Sequence, residues 1–269
     1  MFIEYTVGSS FIHRLDVRTK SLAFLVIIVA AFLFSNPVYN LVVLLICIYP
    51  ARLIRLPFGH INRLLTPLIP VFILIILFAS FSYQPESFTQ PYARKILFSI
   101  TSGGYMTCTV GGILFGLSLS LRIITMVIAS TIFTMTTPID DLLYLLRKLR
   151  VSYKIGFVLS TGLRFIPTME KKANQIIEAQ RSRGARFKQG NMIRRIMAYV
   201  PVMVPMIVES LRMSENLAMA MVNRGFGATK NWSVVDELQP RAVDYWLSVL
   251  LSVVLAAVIY LRMLGFGKL

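Results

Sequence analysis

The sequence is short of acid, of histidine and of cysteine, and each shortage removes a class of chemistry. Only 12 Asp and Glu stand against 28 Lys and Arg, for a formal charge of +16 in 269 residues. Such an excess points to anionic lipid headgroups and cytoplasmic loops, or to nucleic acid. His13 and His60 are the two histidines, and neither sits in a His-Glu-x-x-His stretch or a compact His/Cys/Asp cluster, which argues against a metalloenzyme. Cys47 and Cys108 lie in apolar or Thr/Gly-rich surroundings without ligand-like neighbours, so neither a disulfide framework nor a metal site is expected. The chain also lacks a G-x-x-x-x-G-K-[ST] loop, so it is not expected to hydrolyse ATP. No cofactor is expected.

What is abundant is apolar surface: 56% of residues are hydrophobic and 15% charged, the balance of a membrane protein. The expected fold is an all-α integral membrane protein with about five transmembrane helices and a cytoplasmic or interfacial helical module. Apolar runs place spans at about Ser21 to Ser35, Val38 to Tyr49, Leu68 to Ser82, Gly112 to Met135 and Tyr245 to Tyr260. No small-residue cleavage pattern follows the first run, which is therefore expected to be retained. The Asn36-Pro37 pair marks a tight turn between the first two spans.

Arg14, Arg18 and Lys20 before the first span, and Arg52, Arg55 and Arg63 after the second, put the N-terminus and the second loop in the cytoplasm. Trp232 and Trp246 suit the membrane interface near the last span. The segment Ile96 to Thr109 stays open. The glycines at 103, 104, 111, 112 and 116 allow close helix packing, a broken segment or a re-entrant loop. Arg122 lies within the fourth span, where it either satisfies a bundle partner or snorkels, or else makes a functional polar contact.

From Pro138 the character changes. Pro138 suits a helix start, Asp140 and Asp141 its first turn, and Arg147, Lys148 and Arg150 its end. The chain is thus divided into an N-terminal membrane region at 1–137, cytoplasmic or interfacial helices at 138–241 and a C-terminal transmembrane helix at 242–269. Within the middle part, Pro201 and Pro205 are expected to bend or divide any helix. Its methionines read as adaptable core filler or as a sliding surface for a mobile partner.

Two stretches in that part end alike: "EAQRSRG" and "AMAMVNRG". In a helix, Ala179 and Arg183 share a face, as do Ala220 and Arg224. Gly184 and Gly225 suit helix termination, and an arginine there is favoured by the carbonyl end and free to project. The residues alone leave two readings open: a pair of guanidiniums that dock into partner grooves, or basic helix caps facing anionic lipid. Arg181, Arg186 and Lys188 are read as surface or headgroup contacts.

Three stretches together, "SSFIHRLDVRTK", "EAQRSRG" and "NLAMAMVNRGFG", resemble the transmembrane T component of energy-coupling factor (ECF) transporters, a family that includes the membrane subunit of cobalt importers. "HRLDVRTK" is similar to the family's His-x-Leu-Asp-Pro-Arg-x-Lys sequence, with Val17 where proline is common. The family's two coupling motifs, Ala-Arg-Gly or close to it, stand here as Ser182-Arg183-Gly184 and Asn223-Arg224-Gly225.

The resemblance implies a non-catalytic subunit of an ATP-driven importer. It implies two ABC-type ATPases as partners, identical or not, and a small membrane S component that binds vitamin or metal. Arg183 and Arg224 would dock into the ATPases, with Ala179, Ser182, Ala220 and Asn223 supporting the coupling helices. The location implied is a bacterial or archaeal cell membrane. The alternatives are the permease of a conventional ABC importer, an intramembrane enzyme and a membrane-tethered nucleic-acid binder. Arg122 alone falls short of the convergent polar residues that an intramembrane enzyme needs. Most aromatics lie in or beside spans, so no nucleic-acid partner is expected.

Overall fold

The computed structural model describes residues 10, 12–54, 58–82, 95–99, 107–148, 152–185, 187, 191–228 and 242–267. Two compact units divide the chain: Met1–Leu145 with Leu238–Leu269, and Leu146–Glu237.

In the first unit, α1 (Val17–Leu33) starts where the Asp16 carboxylate accepts the Arg18 backbone N–H. Val17 occupies the first helical position and is 1% exposed, so apolar burial serves at a position where proline would serve by its fixed φ. The turn at Asn36-Pro37 forms as expected. The Asn36 side chain accepts the Val38 N–H at 3.0 Å and Pro37 opens α2 (Pro37–Leu53).

A short helix, α3 (Phe58–Leu65), runs through a 3₁₀ turn at Thr66–Leu68 into α4 (Ile69–Ser82). After it come β1 (Ile96–Ser99) and β2 (Thr107–Thr109), paired antiparallel. The described residues of the segment left open by the sequence thus pair as a small two-stranded ladder, while the other elements among the described residues are helical. Gly103 and Gly104 lie outside the described residues.

The 27-residue α5 (Val110–Thr136) is the hub of this unit. Small residues on it set the distance to α4: a Cβ added at Gly112 would stand 2.6 Å from the Ala79 carbonyl oxygen, and one at Gly116 2.8 Å from Ile76 Cα. The expectation of glycine-mediated packing is met at these two positions. Against α2, Asn40 Nδ2 donates to Ser118 Oγ at 2.6 Å, and Cys47 packs with Ala51, Ile128, Ala129 and Met135. Cys47 and Cys108 are both free thiols.

Then come α6 (Ile139–Lys148) and, after the second unit, α9 (Ala242–Met263). The paired residues give the helix directions. Asp244 meets Asp16 and Gly267 meets Ser35, so α9 runs parallel to α1. Asn40 meets Ser118 and Cys47 meets Thr125, so α2 runs parallel to α5. Lys20 meets Thr136 and Arg122 meets Ala31, so α1 and α5 are antiparallel.

Arg122 is held as a bundle partner. Its Nε donates to the Ala31 carbonyl at 2.8 Å, and Nη2 to the carbonyls of Phe34 at 3.1 Å and Phe32 at 3.3 Å. These oxygens belong to the end of α1, where the helix supplies no N–H for them.

The second unit is a pair of long helices, α7 (Tyr153–Ser182) and α8 (Met192–Asn223). The prolines at 201 and 205 do not divide α8, which corrects that part of the sequence expectation. Pro205 removes the N–H that would have met the Pro201 carbonyl, and Gln180 Nε2 reaches that oxygen instead at 3.4 Å.

Among the described residues, four helices are long and apolar enough to cross a membrane: Ile61–Ser82, Val110–Thr136, Arg195–Asn223 and Ala242–Met263. This set differs from the five expected spans. It includes most of α8, while α1 and α2 have 17 residues each, a rise of about 25 Å against a hydrocarbon core of about 30 Å. The protein is a multi-pass membrane protein.

Candidate coupling ends

Both Arg-Gly sequences fall at helix ends, and the two ends share one hydrogen-bond pattern. At the end of α7, the Gly184 N–H donates to the Arg181 carbonyl and the Ala185 N–H to the Gln180 carbonyl, each at 2.9 Å. At the end of α8, the Gly225 N–H donates to Val222 and the Phe226 N–H to Met221, again each at 2.9 Å. This is the Schellman arrangement, in which a left-handed residue turns the chain back over the last carbonyls. Gly184 has φ +89° and Gly225 φ +73°, the region that a Cβ penalises.

Arg183 and Arg224 are the capping residues, and both side chains are exposed, as are Ala179, Ser182, Gly184, Ala220, Asn223 and Gly225. The match is closest from the last helical turn outward. The Arg183 N–H reaches the Ala179 carbonyl at 3.3 Å, whereas the Arg224 N–H bonds Met221 at 3.1 Å. Arg181 is exposed on the last turn of α7, while Arg186 and Lys188 lie outside the described residues, with Trp232.

A third helix stops in the same way. Beyond α9 the Gly265 N–H donates to Arg262 and the Phe266 N–H to Leu261, with Gly265 at φ +86°. There the capping position is Leu264. The backbone stop is therefore general in this chain, and the projecting cation is what distinguishes the ends of α7 and α8.

Sequence reasoning did not foresee how those two ends are arranged. Phe157 on α7 packs at a tilt against Phe226 with ring centroids 5.1 Å apart, Lys172 pairs with Glu209, Gln180 reaches Pro201, and Phe187 meets Tyr199 at 5.0 Å. As the α7 partner advances, the α8 partner retreats, so the helices form an antiparallel hairpin. Arg183 stands at one end of it and Arg224, two residues before Phe226, at the other. At a rise of about 1.5 Å per residue, the two are on the order of 40 Å apart along the hairpin. The polar pair Lys172 and Glu209 midway along two amphipathic stretches was the signal available in the sequence.

Among the described residues no group of three or more His, Cys, Asp or Glu side chains could hold a metal ion. What the hairpin offers is two widely spaced, exposed guanidiniums on fixed backbone, suited to pairing with carboxylates or carbonyls.

Comparison with known proteins identifies the group. The family model of CbiQ, a cobalt transport protein, matches residues 8–233. The energy-coupling factor transporter transmembrane protein EcfT of Streptococcus thermophilus is 32% identical, with 89% of this chain and 93% of that protein covered. The EcfT protein of Bacillus subtilis is 31% identical over 96% of this chain and 97% of its own length. That of Clostridium kluyveri is 30% identical, with 98% and 97% covered. The chain belongs to the CbiQ/EcfT family and is a non-catalytic transmembrane coupling component of the energy-coupling factor type.

Proposed function

We propose that this ECF transmembrane component joins two cytoplasmic ABC-type ATPases to a small membrane protein that captures a vitamin or a metal ion. The ATPases hold one end of the hairpin each, Arg183-Gly184 in one groove and Arg224-Gly225 in the other. ATP binding and hydrolysis change the separation of the two ATPases. That motion displaces α7 and α8, and the displacement reorients the substrate-binding partner so that its cargo is released inside the cell. No bond is made or broken on this chain.

The observation that carries the reading is the pair of equivalent helix ends on one antiparallel hairpin, each presenting an exposed arginine. Two ends of the same chemistry at opposite tips fit two partners of the same kind. A lipid-facing cap would not require the spacing.

The hairpin, with the rest of 138–241, is read as the cytoplasmic and interfacial coupling module, although α8 is apolar enough to cross a bilayer. What supports this is its partner. α7 pairs with α8 along its length and carries Arg164, Glu170, Lys171, Lys172 and Glu178. A crossing α8 would bring those charges to bilayer depth, at a cost of about 2.5 to 3.5 kcal/mol for a central Arg or Lys. The exposed Met203, Val204, Ile207, Val208 and Leu211 then form a surface on which a mobile membrane partner slides.

Five crossings, by α1, α2, α3–α4, α5 and α9, are supported by their alternating directions. The N-terminus lies in the cytoplasm on the strength of Arg14, Arg18 and Lys20.

Gentle detergent extraction followed by mass spectrometry of co-purifying chains tests the whole reading. Recovery of two ATPase subunits and one small membrane protein with this chain is the expected result. Recovery without any ATPase would overturn it.

A further inference from the structure

The proposed coupling leaves one part of the sequence without a role, the stretch from His13 to Lys20. Thr19 and Lys20 are buried there and Asp16 and Arg18 are partly buried, close to where several helices meet. Lys20, 7% exposed, donates from Nζ to the Thr136 carbonyl at 2.8 Å and to the His13 carbonyl at 3.1 Å. Thr136 is the last residue of α5.

Asp244, 4% exposed and in the first turn of α9, accepts the Asp16 backbone N–H on Oδ1 at 2.9 Å. The Thr19 hydroxyl donates to the Asp244 carbonyl at 3.4 Å. Arg18 Nη2 donates to Tyr144 Oη on α6 at 3.4 Å, with its guanidinium carbon 5.7 Å from that ring's centroid. Asp16, Asp141 and Asp244 all act electrostatically on Lys20.

Four residues, Asp16, Arg18, Thr19 and Lys20, thus hold three helices of the first unit: α5 at its close, α6 at Tyr144 and α9 at its start. These points flank the two places where the chain passes between units, after Leu145 and before Leu238. Burying this many charged groups is a poor way to gain stability, since apolar side chains of similar volume commonly do as well or better. Directional bonds do supply what apolar packing does not, a fixed geometry at the departure and return of the chain.

We propose that Lys20 and Asp244 are positioning residues for transport, clamping the exit and return of the coupling segment to α1 so that movement of residues 146–237 is delivered to the membrane helices. This rests on the coupling role proposed above. Neither residue touches an ATPase or the cargo. Each acts through the helix end it holds.

The test uses the full complex with its ATPases in liposomes, spin-labelled at Leu77→Cys on α4 and Leu250→Cys on α9, in a Cys108→Ser background. Both label sites are exposed, and Cys47 is fully buried. Pulsed electron resonance reads the distance between the labels before and after trapping the ATPases with ATP and vanadate, and ATP hydrolysis is measured on the same sample. The otherwise unsubstituted chain is expected to show a distance shift on trapping.

Lys20→Met and Asp244→Asn are expected to assemble and hydrolyse ATP to within about twofold of the unsubstituted complex, yet to lose the shift. Lys20→Arg, which keeps the charge and donors, is expected to restore it. A shift retained in both Lys20→Met and Asp244→Asn overturns the proposal, as does a hydrolysing wild-type complex that shows none. Should those two variants fail to assemble, Thr19→Val, which removes the hydroxyl donated to the Asp244 carbonyl, is expected to diminish the shift, and an undiminished shift overturns the proposal. Failure of the underlying coupling role looks different, because then the unsubstituted chain does not bind the ATPases at all.

Discussion

Arg122 on α5 donates from Nε to the carbonyl of Ala31 on α1 at 2.8 Å, so one helix supplies the cap that another lacks. Two further bonds from Nη2 reach Phe32 and Phe34, and the guanidinium carbon lies 5.0 Å from the Phe32 ring centroid. Removing the fork takes the donors from the Ala31 and Phe32 carbonyls, whereas the Phe34 carbonyl keeps Asn40 Nδ2 at 3.1 Å. Arg122→Met is expected to destabilise the protein by about 2 to 3 kcal/mol, read as a lower unfolding midpoint in detergent. Arg122→Lys is expected to recover only part of this, because an ammonium cannot span three carbonyls with the planar geometry of a guanidinium.

The α4–α5 contact depends on missing side chains. At Gly112 an added methyl would meet the Ala79 carbonyl oxygen at 2.6 Å and Ser80 Cα at 2.8 Å, which are backbone atoms that cannot swing aside. Gly112→Ala and Gly116→Ala are each expected to lower stability by about 1 to 3 kcal/mol through overpacking. Thermal unfolding of the purified variants checks this, and an unchanged midpoint for both would show that α4 is free to move away.

Gly184 and Gly225 have open space around them, so their requirement is conformational. Alanine at either is expected to cost about 1 to 2 kcal/mol, because the left-handed backbone crowds a Cβ. Gly162, exposed inside α7 with nothing within 4 Å of an added Cβ, is the opposite case. Gly162→Ala is expected to stabilise by about 0.5 to 1 kcal/mol. Comparing the three by chemical denaturation separates strain from the helix preference for alanine.

Arg183→Ala and Arg224→Ala test docking directly. Each is expected to weaken association with the ATPases by about 2 to 5 kcal/mol if its guanidinium is buried in the groove, with membrane insertion intact. The double replacement is expected to be worse than either. Co-purification yield and uptake in whole cells provide the measurements, and full assembly with full uptake in the double variant would falsify the role.

Much of this architecture was readable in the residues because local chemistry determined it. Asn36-Pro37 specified its turn, Pro138 preceded a helix, and Gly184 and Gly225 ended theirs. Less readable was whatever depended on a distant partner. Pro201 and Pro205 looked like breaks because nothing nearby in sequence replaces the lost donors, and Gln180, far along the chain, reaches the Pro201 carbonyl. Arg122 was visible as an anomaly, while its acceptors at the end of α1 were not. The placement of the two arginines at opposite tips required knowing that Phe157 meets Phe226 and Phe187 meets Tyr199.

The third glycine stop, at Leu264-Gly265, bears on how such a protein changes over time. Because the left-handed glycine and the two backbone bonds close the helix whatever side chain precedes it, the capping position is left to drift or to be selected for its reach alone. A plain stop and a cationic tip then differ by one replacement, with no new helix to invent. Lineages built on this scaffold can therefore add or lose a cationic tip in a single mutational step, while the helices beneath it stay as they are.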